Sequence, residues 1–145
     1  MARALSAANK VRDIKKITRP EAPTVFLDTS AYLMWALDQP GSQELNAIFI
    51  QSKLVASSIL FIESERAFIH LARTRAITHE NALMLRASLV QHVRHFVVRE
   101  PSLEICLSNR FPGMTTPKSA DLIHLRTALW FMDNGGLQKF ITRGK

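Results

Sequence analysis

Val25-Phe26-Leu27 is an uninterrupted apolar run, and a carboxylate, Asp28, closes it at once. A segment this short and this apolar suits a strand covered on both faces, as in a parallel sheet packed between helices. Asp28 then stands where the strand ends. In open α/β sheets, ligands bind outside the carboxyl ends of the strands. A carboxylate placed there, with the hydroxyls of Thr29 and Ser30 behind it, can hold a hard cation. Asp is equally a favoured helix N-cap, and the residues that follow read as a helix.

The rest of the chain repeats the alternation of strand and helix. Ala31 to Asp38 has the material of a short buried helix, stopped by Pro40-Gly41. Ser42 is a plausible cap for the next helix, with Leu45, Ile48 and Phe49 on one face. Leu54 to Ile59 reads as a second strand that turns into a helix near Ser57 and Ser58. That helix runs from about Leu60 to Arg73, with Glu63 near its first turn, at the border of core and surface. Arg66 and His70 are its expected partners there.

Thr78 caps a long helix to about His95, and Leu83, Ala87 and Val90 are expected to face the core. His92 and His95 read as surface or interface residues. Paired histidine ligands on a helix usually stand four apart, and no thiol or carboxylate accompanies these two. Phe96 to Arg99 is a third strand. Pro101 ends it, and Ser102 caps a short helix expected to bury Leu103, Cys106 and Leu107. A Pro/Gly/Thr loop from Arg110 to Lys118 opens onto a helix in which Asp121 shares a face with Leu125, Ala128 and Met132. Asn134-Gly135-Gly136 ends that helix. Lys139 to Arg143 is a fourth strand. Strands alternating with helices predict one mainly parallel four-stranded sheet with helices on both faces, a three-layer α/β/α arrangement.

The chain has 145 residues and is 47% hydrophobic, which suits one domain with a real core. No apolar run approaches the ~18 residues of a transmembrane span, and the first residues hold no secretory h-region. Cys106 is the single cysteine, so an internal disulfide and CxxC metal sites are excluded. A cytoplasmic protein that does not engage membranes is expected. The net charge of +7 is uneven: residues 1–20 hold six basic groups and one acid, a net of +5, which leaves +2 for the remainder. Residues 1–23 therefore read as a basic arm and linker, broken off by Pro20 and Pro23, and 24–145 as the compact domain. Basic arms of this kind bind nucleic acid or acidic partners, or remain solvated tails.

Asp28, Glu63 and Asp121 all fall at strand C-termini or early in helices, where a parallel sheet can gather them on one rim. Converging carboxylates repel one another without a cation. Hard cations such as Mg²⁺ or Mn²⁺ accept oxygen ligands and can activate water against a phosphodiester. The stretches Val25-Phe26-Leu27-Asp28-Thr29-Ser30-Ala31, Ser57-Ser58-Ile59-Leu60-Phe61-Ile62-Glu63 and Ala120-Asp121-Leu122-Ile123-His124-Leu125, with Thr127-Ala128-Leu129, occur in that order.

Together they resemble the PIN-domain ribonucleases, in particular the VapC-like toxins of toxin–antitoxin pairs. The resemblance covers about Thr24 to Thr142. It implies a PIN-like fold in which Asp28, Glu63 and Asp121 are catalytic metal ligands, with Thr29, Ser30 and Thr142 as polar support. The implied cofactor is Mg²⁺ or Mn²⁺. The implied reaction is endonucleolytic RNA cleavage that leaves a 5′-phosphate and a 3′-hydroxyl. The expected partners are RNA, a cognate antitoxin that occludes the acidic groove, and a second copy of the chain in a homodimer. One position departs from the family: Gly144 follows Ile141-Thr142-Arg143 where a further acid is usual, which bears on a second metal. Glu65 is a neighbour that could replace Glu63. Two alternatives remain on the residues alone: a catalytically impaired PIN scaffold that binds RNA or protein through the same rim, and a phosphotransfer domain with Asp28 as nucleophile.

Overall fold

The structure is a computed structural model and describes residues 22–110 and 118–143. The basic arm, nearly all of the Pro/Gly/Thr loop and Gly144 lie outside the described residues. Four strands, β1 (Thr24–Leu27), β2 (Lys53–Ser57), β3 (Val97–Arg99) and β4 (Lys139–Ile141), form one sheet in the order β3-β2-β1-β4. Every pairing is parallel. The helices are α1 (Thr29–Ala36), α2 (Ser42–Gln51), α3 (Ile59–Arg73), α4 (His79–Val93), α5 (Leu103–Cys106) and α6 (Ser119–Gly135). The α/β expectation is met, and the sheet is wholly parallel.

The apolar run in β1 explains the layering. Side chains alternate across a strand, so Val25 and Leu27 face one side and Phe26 the other. Val25, Leu27, Leu54 and Ala56 join a core with Tyr32 and Trp35 of α1, Phe49 of α2, Phe68 of α3 and Leu89 of α4. Phe26 and Val55 face Ala128 and Phe131 of α6. Phe26 stacks on Phe140 with centroids 5.2 Å apart and an interplanar angle of 8°. Both faces of β1 are covered, which is the condition that a continuous apolar strand imposes.

The chain steps from β1 to β2 to β3 with α1 to α4 on one face. It then returns to the far side of β1 with α6 on the other face. The direction of strand addition therefore reverses at β1, the topological switch point at which open α/β sheets hold ligands. Main-chain bonding seals this edge, since the Asp28 N–H donates to the Ile141 carbonyl at 3.2 Å.

Two helices present a face other than the one expected. In α4 the buried residues are Leu85, Leu89 and His92, while Leu83 and Val90 are 55% and 44% exposed. The two candidate stripes lie on nearly opposite sides of the helix, and packing selects the one that carries the histidine. His92 is fully buried, its Nδ1 3.0 Å from the Tyr32 hydroxyl and its ring 4.7 Å from that of Trp35. It is a core residue and not a surface one. Burial pushes the Tyr32 phenol far above its ordinary range, so the hydroxyl stays protonated. In α5, Ile105 is buried, whereas Leu103 and Leu107 are 72% and 73% exposed and Cys106 is exposed too. One turn of helix can turn a single apolar side chain fully inward, and Ile105 takes that place. Among the described residues no helix is long and apolar enough to cross a membrane.

Candidate functional site

The rim at the carboxyl end of β1 is built around Asp28. Its backbone is extended, and its Oδ1 accepts from the Ala31 N–H at 2.9 Å and from the Ser30 hydroxyl at 2.8 Å. Asp28 thus caps α1, satisfying one of the donors that every helix start leaves open. Both bonds fall on one oxygen, and Oδ2 has no hydrogen-bond partner among the described residues. Ser30 also links the rim to β4: its Oγ lies 3.3 Å from Thr142 Oγ1 and accepts from the Arg143 N–H at 3.0 Å. Thr29 thus bonds Glu63, and Ser30 bridges Asp28 and Thr142.

Glu63 is the fifth residue of α3, near its first turn as the sequence suggests. Its Oε2 accepts from the Thr29 hydroxyl and from His124 Nε2, the latter at 2.7 Å. His124 Nε2 is also 3.0 Å from Thr29 Oγ1, so three residues from α1, α3 and α6 close a triangle. The His124 side chain is 5% exposed and that of Glu63 is 33% exposed. His124 Nδ1 is buried with no hydrogen-bond partner among the described residues, and Nε2 makes the ring's contacts with the rim. Burial pushes the Glu63 carboxyl up. The hydrogen bonds from His124 and Thr29, with the positive charges of His124 and Arg66, outweigh burial and hold it below the ordinary carboxylate range. Arg66 acts on Glu63 through charge, and the hydrogen-bonded partner is His124 rather than Arg66 or His70.

Asp121 lies in the first turn of α6 and is exposed. It was expected on the apolar face, but burial along α6 begins one turn later, at His124. The first turn therefore stands in solvent and avoids the cost of burying a carboxylate. Glu65 is committed elsewhere: it pairs with Arg86 and ties α3 to α4. That pairing removes it as a substitute for Glu63.

No family model, curated protein or solved structure matches the chain. The rim's chemistry must be read from its own atoms. Among the described residues, no three His, Cys, Asp or Glu side chains gather into a group that could hold a metal ion. In kind, the donors suit a hard cation: Asp28 and Glu63 each keep one carboxylate oxygen with no described partner, and hydroxyls surround them. Mg²⁺ commonly takes only one or two protein carboxylates, completing its shell with water and substrate phosphate. The donors are of the kind such an ion accepts, but among the described residues they are not gathered into a metal-binding group.

His124 is the residue that sequence reasoning missed. It stands one turn after Asp121 in the same matched stretch, and a histidine amid Leu122, Ile123 and Leu125 was the available signal.

Proposed function

We propose that the chain is a PIN-like, metal-dependent endoribonuclease of the VapC-like toxin type, inhibited by a protein antitoxin that covers the rim. The observation that supports this reading best is the Thr29–Glu63–His124 triangle at the strand-order reversal. It fastens a carboxylate from α3 and the opening of α6 beside Asp28, where open parallel sheets bind ligands.

In this reading Asp28 and Glu63, with Asp121, would hold Mg²⁺ or Mn²⁺. When bound, the ion supplies neutralising charge at the phosphodiester and a water of lowered pKa. The remaining work belongs to the chain. Ser30 and the Ala31 N–H fix the orientation of Asp28. Thr29 and His124 keep Glu63 ionised and turned to the rim. The basic N-terminal arm adds a sequence-independent attraction to RNA phosphates.

The experiment is incubation of the full chain with a mixed-sequence RNA, with Mg²⁺ or Mn²⁺ and with EDTA, followed by mapping of the product ends. Cleavage that needs the divalent ion and leaves 5′-phosphate and 3′-hydroxyl ends is expected. Ion-independent cleavage, or 2′,3′-cyclic phosphate ends, would overturn the proposal.

A second reading is a scaffold that binds RNA or protein at the same rim without cleaving. The dispersed placement of the three acids favours it. Retained RNA binding with no cleavage in either metal would select it.

A further inference from the structure

We propose that the outer face of the α3–α4 hairpin docks an acidic amphipathic helix of another protein. The inference is independent of the nuclease reading. Ile62 and Ile69 on α3 are 70% and 52% exposed, and Leu83 and Val90 on α4 are 55% and 44% exposed. Each pair is spaced seven residues apart, two helical turns or about 10 Å. The two helices are joined by the short segment 74–78 and run antiparallel, with Glu65 paired to Arg86. That register sets Ile62 level with Val90 and Ile69 level with Leu83. The result is two apolar rungs on a surface otherwise in water.

Scattered exposed apolar residues are ordinary, but four at matched levels on one hairpin make a patch of the kind that marks interaction sites. A partner helix with apolar residues every three and four positions presents side chains at the same two-turn repeat. The hairpin's charge selects the partner's other face. Arg66, Arg73 and Arg94 are exposed on these two helices and their ends, and Arg86 is exposed but paired with Glu65. Of the acids, Glu65 is engaged with Arg86, Glu63 faces the Thr29–His124 triangle, and Glu80 lies in the first turn of α4. A second copy docked about a two-fold axis would oppose the same arginines to themselves. An acidic helix meets them with opposite charge, which favours encounter and specificity.

The test uses the full chain and three labelled 18-residue peptides, followed by fluorescence anisotropy. The first peptide has a leucine seam flanked by glutamates. The second replaces those glutamates with lysines. The third scrambles the first so that no face is apolar. The first is expected to bind at least tenfold more tightly than either control. Its affinity should fall at least tenfold in the double variant Ile69→Gln, Leu83→Gln, both exposed positions at which the fold is retained, as circular dichroism would verify. Equal binding of the scrambled peptide would overturn the proposal in favour of charge attraction alone, and equal binding of the lysine peptide would overturn the charge argument. Light scattering supplies the remaining arm. A dimer in the wild type that becomes monomeric in the double variant would overturn the proposal and assign the face to a second copy.

Discussion

Asp28 carries two demands in one side chain. It caps α1 through Oδ1 and leaves Oδ2 with no hydrogen-bond partner among the described residues. The demands separate by substitution. Asp28→Ala removes the cap and should lower stability by about 1 kcal/mol, whereas Asp28→Asn caps nearly as well and should leave the urea midpoint almost unchanged. Equal losses in both variants would mean that the carboxylate charge, and not the cap, stabilises α1. The position of Asp28 was legible because an apolar run can end in only one place. The partner of Glu63 was not, since His124 is 61 residues away and no local pattern joins them.

Glu63 gives a pH prediction. Its carboxyl is held below the ordinary range when folded, so the folded state favours the charged form. The stability this contributes is fully present above the unfolded carboxyl value, ~4.3, and is lost as pH falls through the folded value. Glu63→Gln should therefore flatten the acid limb of the stability–pH curve, with the difference between wild type and variant shrinking as pH drops. His124→Gln, which takes away a donor and its charge, should flatten the same limb in part. Denaturant melts from pH 7 to pH 3 measure both. Parallel curves for wild type and Glu63→Gln would show that the triangle does not bias the protonation of Glu63.

At the scale of elements, the lesson is one of phase. Strands and helices fall where apolar runs, caps and Pro/Gly breaks place them. Thr78 and Ser102 cap α4 and α5 as the sequence suggests, accepting from the Asn81 and Ile105 N–H groups. The buried face of α4 was not legible, because stripes through Leu83 and Leu85 are both apolar and only the tertiary partner Tyr32 decides between them. A buried histidine counts as polar in any hydrophobic pattern, so it concealed the true face. The choice has a direct consequence. Leu85→Ala should cost about 2 to 5 kcal/mol, as large-to-small core changes do, and Leu83→Ala should stay within about 0.5 kcal/mol, as exposed changes do. Chemical denaturation of the two variants checks the ratio, and a large cost at Leu83 would return the core face to the stripe expected from periodicity.

For the whole molecule, the parallel order β3-β2-β1-β4 does what side-chain pattern alone could not: it determines which strand end becomes the crevice. The alternation of strands and helices predicted a parallel sheet, but not the neighbour of each strand, because pairing is settled by long-range contacts. The charge distribution belongs to this scale as well. In the ribonuclease reading, deleting residues 1–20, which carry a net +5, should weaken RNA binding and reduce the salt dependence of log K, while cleavage at saturating RNA stays nearly unchanged. An unaltered salt slope in filter-binding titrations would separate the arm from RNA.

In the proposed reading, the rim at Asp28 holds a divalent ion and uses it on RNA. Melting curves of wild type and Asp28→Asn, each with EDTA and with Mn²⁺, test it most directly, with RNA cleavage measured on the same samples. An ion that binds only the folded protein stabilises it by RT ln(1 + [L]/Kd), about 2.7 kcal/mol at a hundred times Kd. Mn²⁺ is expected to raise the wild-type melting temperature, and Asp28→Asn to lose most of that rise. The variant is expected to melt no lower than wild type in EDTA, and its cleavage to fall by orders of magnitude. A wild type whose melting temperature ignores Mn²⁺, or an Asp28→Asn variant that cleaves RNA as fast as wild type, would contradict that reading.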